Sequence, residues 1–315
     1  MLNYLMTQTL NLRIWAILHG TIGASNASVP RLAAIELDNL YTDYATRSQP
    51  VEAYEFIQHV WEGFIRLAGQ LDRDRDGHSQ LARIIMWLKK LPLTQLPEVI
   101  MLDDNDAYHE PRRIVFLWDG LNRIDRHLPP FHESEFYPAT VYCTRKAWLT
   151  LPDLWSNEAE FQEYLNAHAF AALLTELYLI SIPWQATAAI EEVTEGTIVQ
   201  ENGEEVVTRD IRAVEHLDQK AAVAGIWLVH AAHRLWYSGT PNNISQGGPW
   251  WQNAYSGMSK ENWSLTAMHL ERLLFWKNQF DEIINRGDVS AMTWGIAVNV
   301  VDKMDTLLKG HSRGN

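Results

Sequence analysis

Cysteine is all but missing from this 315-residue chain, where Cys143 stands alone. One thiol can form neither an internal disulfide nor a Cys-rich zinc site, which points to a reducing, cytoplasmic setting. The sequons at Asn26, Asn243 and Asn262 are then expected to stay unmodified. Also missing is any apolar run of the ~18–20 residues that a membrane span requires, so no membrane partner is expected. Basic charge is in deficit, with 26 Lys and Arg against 39 Asp and Glu and a net charge of −13. Nothing global would draw phosphate to such a surface, and only a local basic groove is left open. The chain also lacks a Gly-x-Ser-x-Gly elbow, a Walker loop and a dinucleotide fingerprint. Gly247-Gly248 alone is too little to cradle phosphate. No cofactor and no covalent catalysis are therefore expected.

What is abundant is aromatic surface: fourteen Trp and eleven Tyr. Rings of this size fill cores, and they also line pockets for flat organic ligands. For any single ring the core is the default. Hydrophobic residues at 47% and charged residues at 21% are ordinary globular values. At the N-terminus Ile14 to Ala24 is apolar, follows Arg13 and precedes Ser25-Asn26-Ala27, which resembles a secretory leader. His19 and Gly20 interrupt it, and a packed first helix is the preferred reading.

Helical periodicity dominates the rest. Helices are expected over residues 30–47 with Leu32, Ile35, Leu40 and Tyr44 inward, over 51–71 around Trp61 and Phe64, and over 80–91. Residues 92–138 lose the pattern to prolines and acids, with one short apolar run at Ile114 to Trp118. A long helix is expected from Glu158 to Ile182, then a polar loop or small hairpin near 191–208. Arg209 to Tyr237 is apolar on all sides and reads as the central buried helix. Gly239 to Gly257 reads as a loop, and two helices over 260–285 and 289–308 close the chain. The expected fold is all-α: one irregular domain over 1–315, with about eight to ten helices in three stretches, 1–91, 92–138 and 145–308.

Several constellations carry chemical potential. Asp72, Asp74, Asp76 and Gly77 match the first half of an EF-hand loop, but Arg83 stands where a bidentate Glu is needed, which favours a charged interhelical turn. Asp103, Asp104 and Asp106, followed by His109 and Glu110, resemble the aspartate-rich magnesium site of class I terpene cyclases. They are candidate metal ligands, with a solvated acidic loop as the preferred alternative. Glu176 and His168 lie four-residue steps apart on one apolar helix; His230 and Arg234 do so on another. A buried carboxylate must take a proton or meet a cation, and Arg234 is the natural partner for Glu176. If the two faces meet, Glu176, His168, His230 and Arg234 form a candidate acid–base centre. A structural buried ion pair is the competing reading.

Gly247-Gly248-Pro249-Trp250, Trp263 and Phe275-Trp276-Lys277-Asn278-Gln279-Phe280 resemble an uncharacterised family of filamentous fungi that includes protein G of an oxopyrrolidine biosynthesis cluster. Trp118, Trp155, Asn166 to Ala171 and Trp227 agree in order, and the similarity spans about residues 50 to 300. Gln252-Asn253 departs from the family's more usual basic-Gly pair. The resemblance implies a role in specialised metabolism. Physically, Gly-Gly-Pro forces a turn that folds Trp250 and Trp251 onto the helix bearing Trp263 and Trp276, with Lys277 placed over an indole. That arrangement is either an aromatic lid, in which these residues and Trp227 bind substrate, or a structural clasp, which is preferred. Three functions remain: a small-molecule biosynthetic enzyme, a non-catalytic helical scaffold or ligand-binding module, and a cyclodipeptide synthase using aminoacyl-tRNA. The last is disfavoured by the negative charge.

Overall fold

The computed structural model describes residues 2–45, 50–73, 76–91, 158–180, 183–196, 198–201, 204–207, 211, 214, 216–237, 248–254 and 265–312. Ten helices lie among them: α1 (Leu2–His19), α2 (Val29–Ala45), α3 (Pro50–Gln70), α4 (Gly77–Leu88), α5 (Glu158–Glu176), α6 (Pro183–Thr194), α7 (Leu217–Tyr237), α8 (Pro249–Ala254), α9 (Leu265–Ile284) and α10 (Ala291–Ser312). The fold is all-α, with a small antiparallel hairpin between α6 and α7. Its strands are β1 (Ile198–Glu201) and β2 (Glu204–Val207), with Ile198 opposite Val207 and Glu201 opposite Glu204. That hairpin falls within the expected polar stretch. The apolar run at Ile114 to Trp118 and the acidic cluster at 103–110 lie outside the described residues.

The described helices form two compact units. The first holds α1 to α4 with Ala159–Phe170 of α5. Its α1 buries Leu10, Ile14 and Leu18, the spacing of a single helical stripe, so the N-terminal apolar segment packs as a helix. On α2 the buried stripe is Ala33, Ala34, Leu37, Leu40 and Tyr41. Leu32, expected inward, is exposed, because it sits one residue off that stripe and turns about 100° away. Phe56, Val60, Trp61, Phe64 and Leu67 of α3 and Leu81, Ile84, Ile85 and Leu88 of α4 complete the core. The last carbonyls of a helix have no partner within it. For α3 they are served by side chains: His78 Nε2 donates to Ala68 O at 2.9 Å and Asn166 Nδ2 to Gly69 O at 2.9 Å. The turn joining α3 to α4 is the charged interhelical turn expected at Asp72 to Gly77, with Asp74 and Arg75 outside the described residues.

The second unit holds Ala171–Leu177, α6, the hairpin and α7 to α10. Here α7 is central, and residues 221–228 are buried on every side. It packs against α6 and α10, and α9 packs against α10. The helix begins at Leu217 rather than near 209, just after His216 at φ 53°. Asp218 in its first turn accepts from Ser290 N at 2.9 Å, while Asp218 O accepts from Thr293 Oγ1 at 2.9 Å. One end of α7 thereby holds the start of α10. Two further boundaries differ from expectation. The helix from Glu158 ends at Glu176, six residues early, because Tyr178 adopts φ 57° in the left-handed region. Pro183 then starts a separate helix, where a missing N–H costs nothing, and it continues to Thr194 through what the acids made look like loop.

Candidate functional site

The most concentrated charge chemistry in the second unit lies where α6, α8 and α9 converge. On α9, Arg272, Trp276, Phe280 and Ile283 fall at three- and four-residue steps and all are buried. On α6 the matching pair is Glu191 and, just past the helix end, Glu195. The Glu195 side chain is 0% exposed and Arg272's is 5% exposed. Glu195 Oε1 accepts from Arg272 Nε at 2.6 Å and from Trp276 Nε1 at 2.5 Å. Its Oε2 accepts from Gly248 N at 2.6 Å and from Arg272 Nη2 at 2.9 Å. Arg272 Nη2 also pairs with Glu191 Oε1. Burial works to lower the Arg272 pKa, but the hydrogen bonds and charges of Glu195 and Glu191 outweigh it and hold the guanidinium above its ordinary value. The guanidinium stays charged.

The strap that closes this cluster is α8. Glu195 O accepts from Trp250 N at 2.8 Å, so residue 195 holds the strap through both backbone and carboxylate. Two glycines make the approach feasible. Gly196 has φ +76°, and a Cβ there would stand 2.6 Å from the Trp250 indole; a Cβ on Gly248 would stand 2.6 Å from Glu195 O. The Arg272 guanidinium carbon lies 5.3 Å from the Trp276 ring centroid and 6.0 Å from that of Trp251. Trp251, buried, meets Phe275 edge-on at 5.5 Å. A carboxylate offers about four acceptor positions, and all four here receive protein N–H groups.

The residues singled out from sequence are distributed differently. Trp276 and Trp251 join the cluster, and Trp227 is buried in α7. Trp250 is half-buried and docks through its backbone and ring. Trp263 lies outside the described residues. Among the described residues Lys277 meets carboxylates rather than an indole: its Nζ lies 2.9 Å from Asp281 Oδ2 and 3.5 Å from Asp305 Oδ1, and the Asp281 hydrogen bond raises its pKa. Arg272 holds the place over the rings, one helical turn nearer the N-terminus of α9. The candidate acid–base set also divides. His168 belongs to the first unit, where burial lowers its pKa to about 3 and its ring meets Tyr164 edge-on at 4.3 Å. Glu176 belongs to the second, with its side chain 29% exposed. Its Oε2 accepts from the backbone N–H of Arg234 at 3.0 Å, and its Oε1 lies 3.7 Å from Nδ1 of the exposed His233. The partner found for Glu176 is therefore an amide and a neighbouring histidine rather than the Arg234 guanidinium, and His230 is half-buried beside them in sequence.

Sequence reasoning missed Glu191, Glu195 and Arg272. One signal was present: Glu191 and Glu195 are four apart, as are Arg272 and Trp276, a spacing that sets two carboxylates together and an arginine beside an indole. It was masked because a Glu-rich, Gly-containing stretch reads as solvated loop. Among the described residues, no group of three or more His, Cys, Asp or Glu side chains is placed to hold a metal. Asp103, Asp104 and Asp106 lie outside those residues.

The family described as Protein of unknown function (DUF3632) matches residues 61–280. The chain belongs to that family. The matched stretch includes every member of the Glu195–Arg272 cluster and the Glu176 contact, so for this DUF3632 member the strap and its anchor lie inside the shared region. No curated protein and no solved structure matches the chain. No helix among the described residues is long and apolar enough to cross a membrane.

Proposed function

We propose that this chain is a non-catalytic helical scaffold or ligand-binding module serving fungal specialised metabolism. The metabolic setting follows from the resemblance of the 247–280 segment; the non-catalytic part follows from the site. One observation carries it: all four acceptor positions of Glu195 are taken by donors of the protein itself. The carboxylate, the guanidinium and two indoles that an aromatic active site would present to a small molecule are spent on holding α6, α8 and α9 together. A carboxylate saturated in this way rigidifies a fold and offers a substrate no open acceptor position.

A second reading, a small-molecule biosynthetic enzyme, has one observation in its favour. Glu176 keeps water contact while touching the Arg234 amide and approaching His233, so its carboxylate is open to a substrate. Co-expression with the neighbouring genes separates the two. Deleting the chain is expected to lower product yield, while a folded Glu176→Gln variant leaves the product spectrum unchanged. Loss of product with Glu176→Gln, at unaltered circular dichroism and melting temperature, would establish the enzyme. Use of an aminoacyl-tRNA donor is the least favoured reading, given a net charge of −13.

A further inference from the structure

Charge is unevenly divided along the chain. Residues 1–35 and 77–91 contain five basic side chains, Arg13, Arg31, Arg83, Lys89 and Lys90, and no acidic one. All 39 carboxylates lie elsewhere. These two stretches include α1, the start of α2 and the whole of α4, and α2 packs against α4 in the first unit. At their junction, cations gather around one indole. The Arg31 guanidinium carbon lies 5.4 Å from the Trp87 ring centroid, and Lys90 Nζ lies 5.0 Å from it. Both cations are exposed, as is Arg83 one turn back on α4. None of the three is ion-paired with a carboxylate among the described residues.

Apolar side chains are exposed on the same two helices. Leu32, next to Arg31, is 59% exposed, and Met86, next to Trp87, is 37% exposed. Exposed apolar side chains on helices that also present cations suit a protein partner better than a bare anion. Arg, Trp and Met are residues that interface centres favour. The indole also holds two cations in defined positions, which lowers the ordering cost of binding an anion there.

We infer that the α2–α4 face around Trp87 docks an acidic, apolar-bearing segment of a partner protein. Carboxylates of that segment meet Arg31, Arg83 and Lys90, while its apolar side chains cover Leu32 and Met86. Nucleic acid and anionic lipid also offer negative charge, but they fit less well. A phosphate backbone has nothing to cover Leu32 and Met86. Anionic bilayers are held by clusters of about four to eight basic side chains, and the 39 carboxylates elsewhere would repel an extended phosphate surface. A short acidic segment carries little charge of its own beyond the patch. The inference does not depend on whether the protein is a scaffold or an enzyme, because it uses none of the Glu176 or Glu195 residues.

The test uses the full chain and a fluorescein-labelled peptide rich in Glu and Leu, read by fluorescence anisotropy. Controls are the same peptide with Gln in place of Glu, phosphatidylcholine vesicles containing phosphatidylserine, and bulk tRNA. The Glu peptide should bind and weaken with added salt. Binding should fall about tenfold or more in Arg31→Glu with Lys90→Glu, and measurably in Leu32→Ser. All three positions are exposed, and a neutral pair, Arg31→Gln with Lys90→Gln, serves if charge reversal lowers the melting temperature. Equal binding of the Gln peptide, or of the Glu peptide to the charge variants, would overturn the inference. So would vesicle or tRNA binding that exceeds peptide binding and is lost in the same variants.

Discussion

A carboxylate with no water contact can be neutralised only at the expense of its partner. In Glu195→Gln the shape at the junction of α6, α8 and α9 survives, but an amide faces Arg272, whose remaining counter-charge is Glu191. Leaving a buried cation under-compensated costs about 3–5 kcal/mol, and urea unfolding should show a loss near the lower end because Glu191 persists. Adding Arg272→Met to that variant should recover part of the loss, since deleting both ions removes the orphaned charge. Residues were the hardest scale to read in advance. Nothing in the sequence distinguishes Glu195, buried and paired, from its neighbour Glu192, a half-exposed partner of Lys220. At Glu176 the partner is a main-chain N–H, which every non-proline residue owns and no side-chain pattern can announce.

At the scale of elements, periodicity placed the helices because their inward faces are apolar stripes. Those of α1, α3, α4 and α7 follow it closely. The errors have local causes: a left-handed backbone at Tyr178 stopped α5, and a helix carrying Glu191 and ending just before Glu195 looked like loop. The strap α8 is too short to show a period, and the stretch 239–257 that reads as loop holds this helix at Pro249–Ala254. Its docking depends on main-chain closeness more than on rings. In Gly248→Ala the added Cβ would press against the Glu195 backbone and lift the strap from its anchor. Limited proteolysis should then cut near Trp250 and Trp251 sooner than in the wild type, with helix content little changed.

For the molecule as a whole, the all-α class was legible from composition and period, while the stability profile was not. Two histidines of the first unit are buried, His168 with its pKa lowered to about 3 and His78 with its pKa lowered by burial against the pull of its Ala68 hydrogen bond. Unfolded, each takes a proton near pH 6.5. Their neutral forms therefore support the fold fully above that pH, and support is lost as the pH falls from about 6.5 toward 3, by up to about 1.4 kcal/mol per pH unit for His168. Melting temperature measured across that window should drop steadily, and His168→Gln should flatten the slope. The Glu195 cluster has a consequence of another kind, in time. Its donors follow the carboxylate by 53, 77 and 81 positions, so a nascent chain cannot match that charge until Arg272 has left the ribosome. Until then the second unit holds an unmatched charge, and a product cut short before Arg272 inherits it permanently.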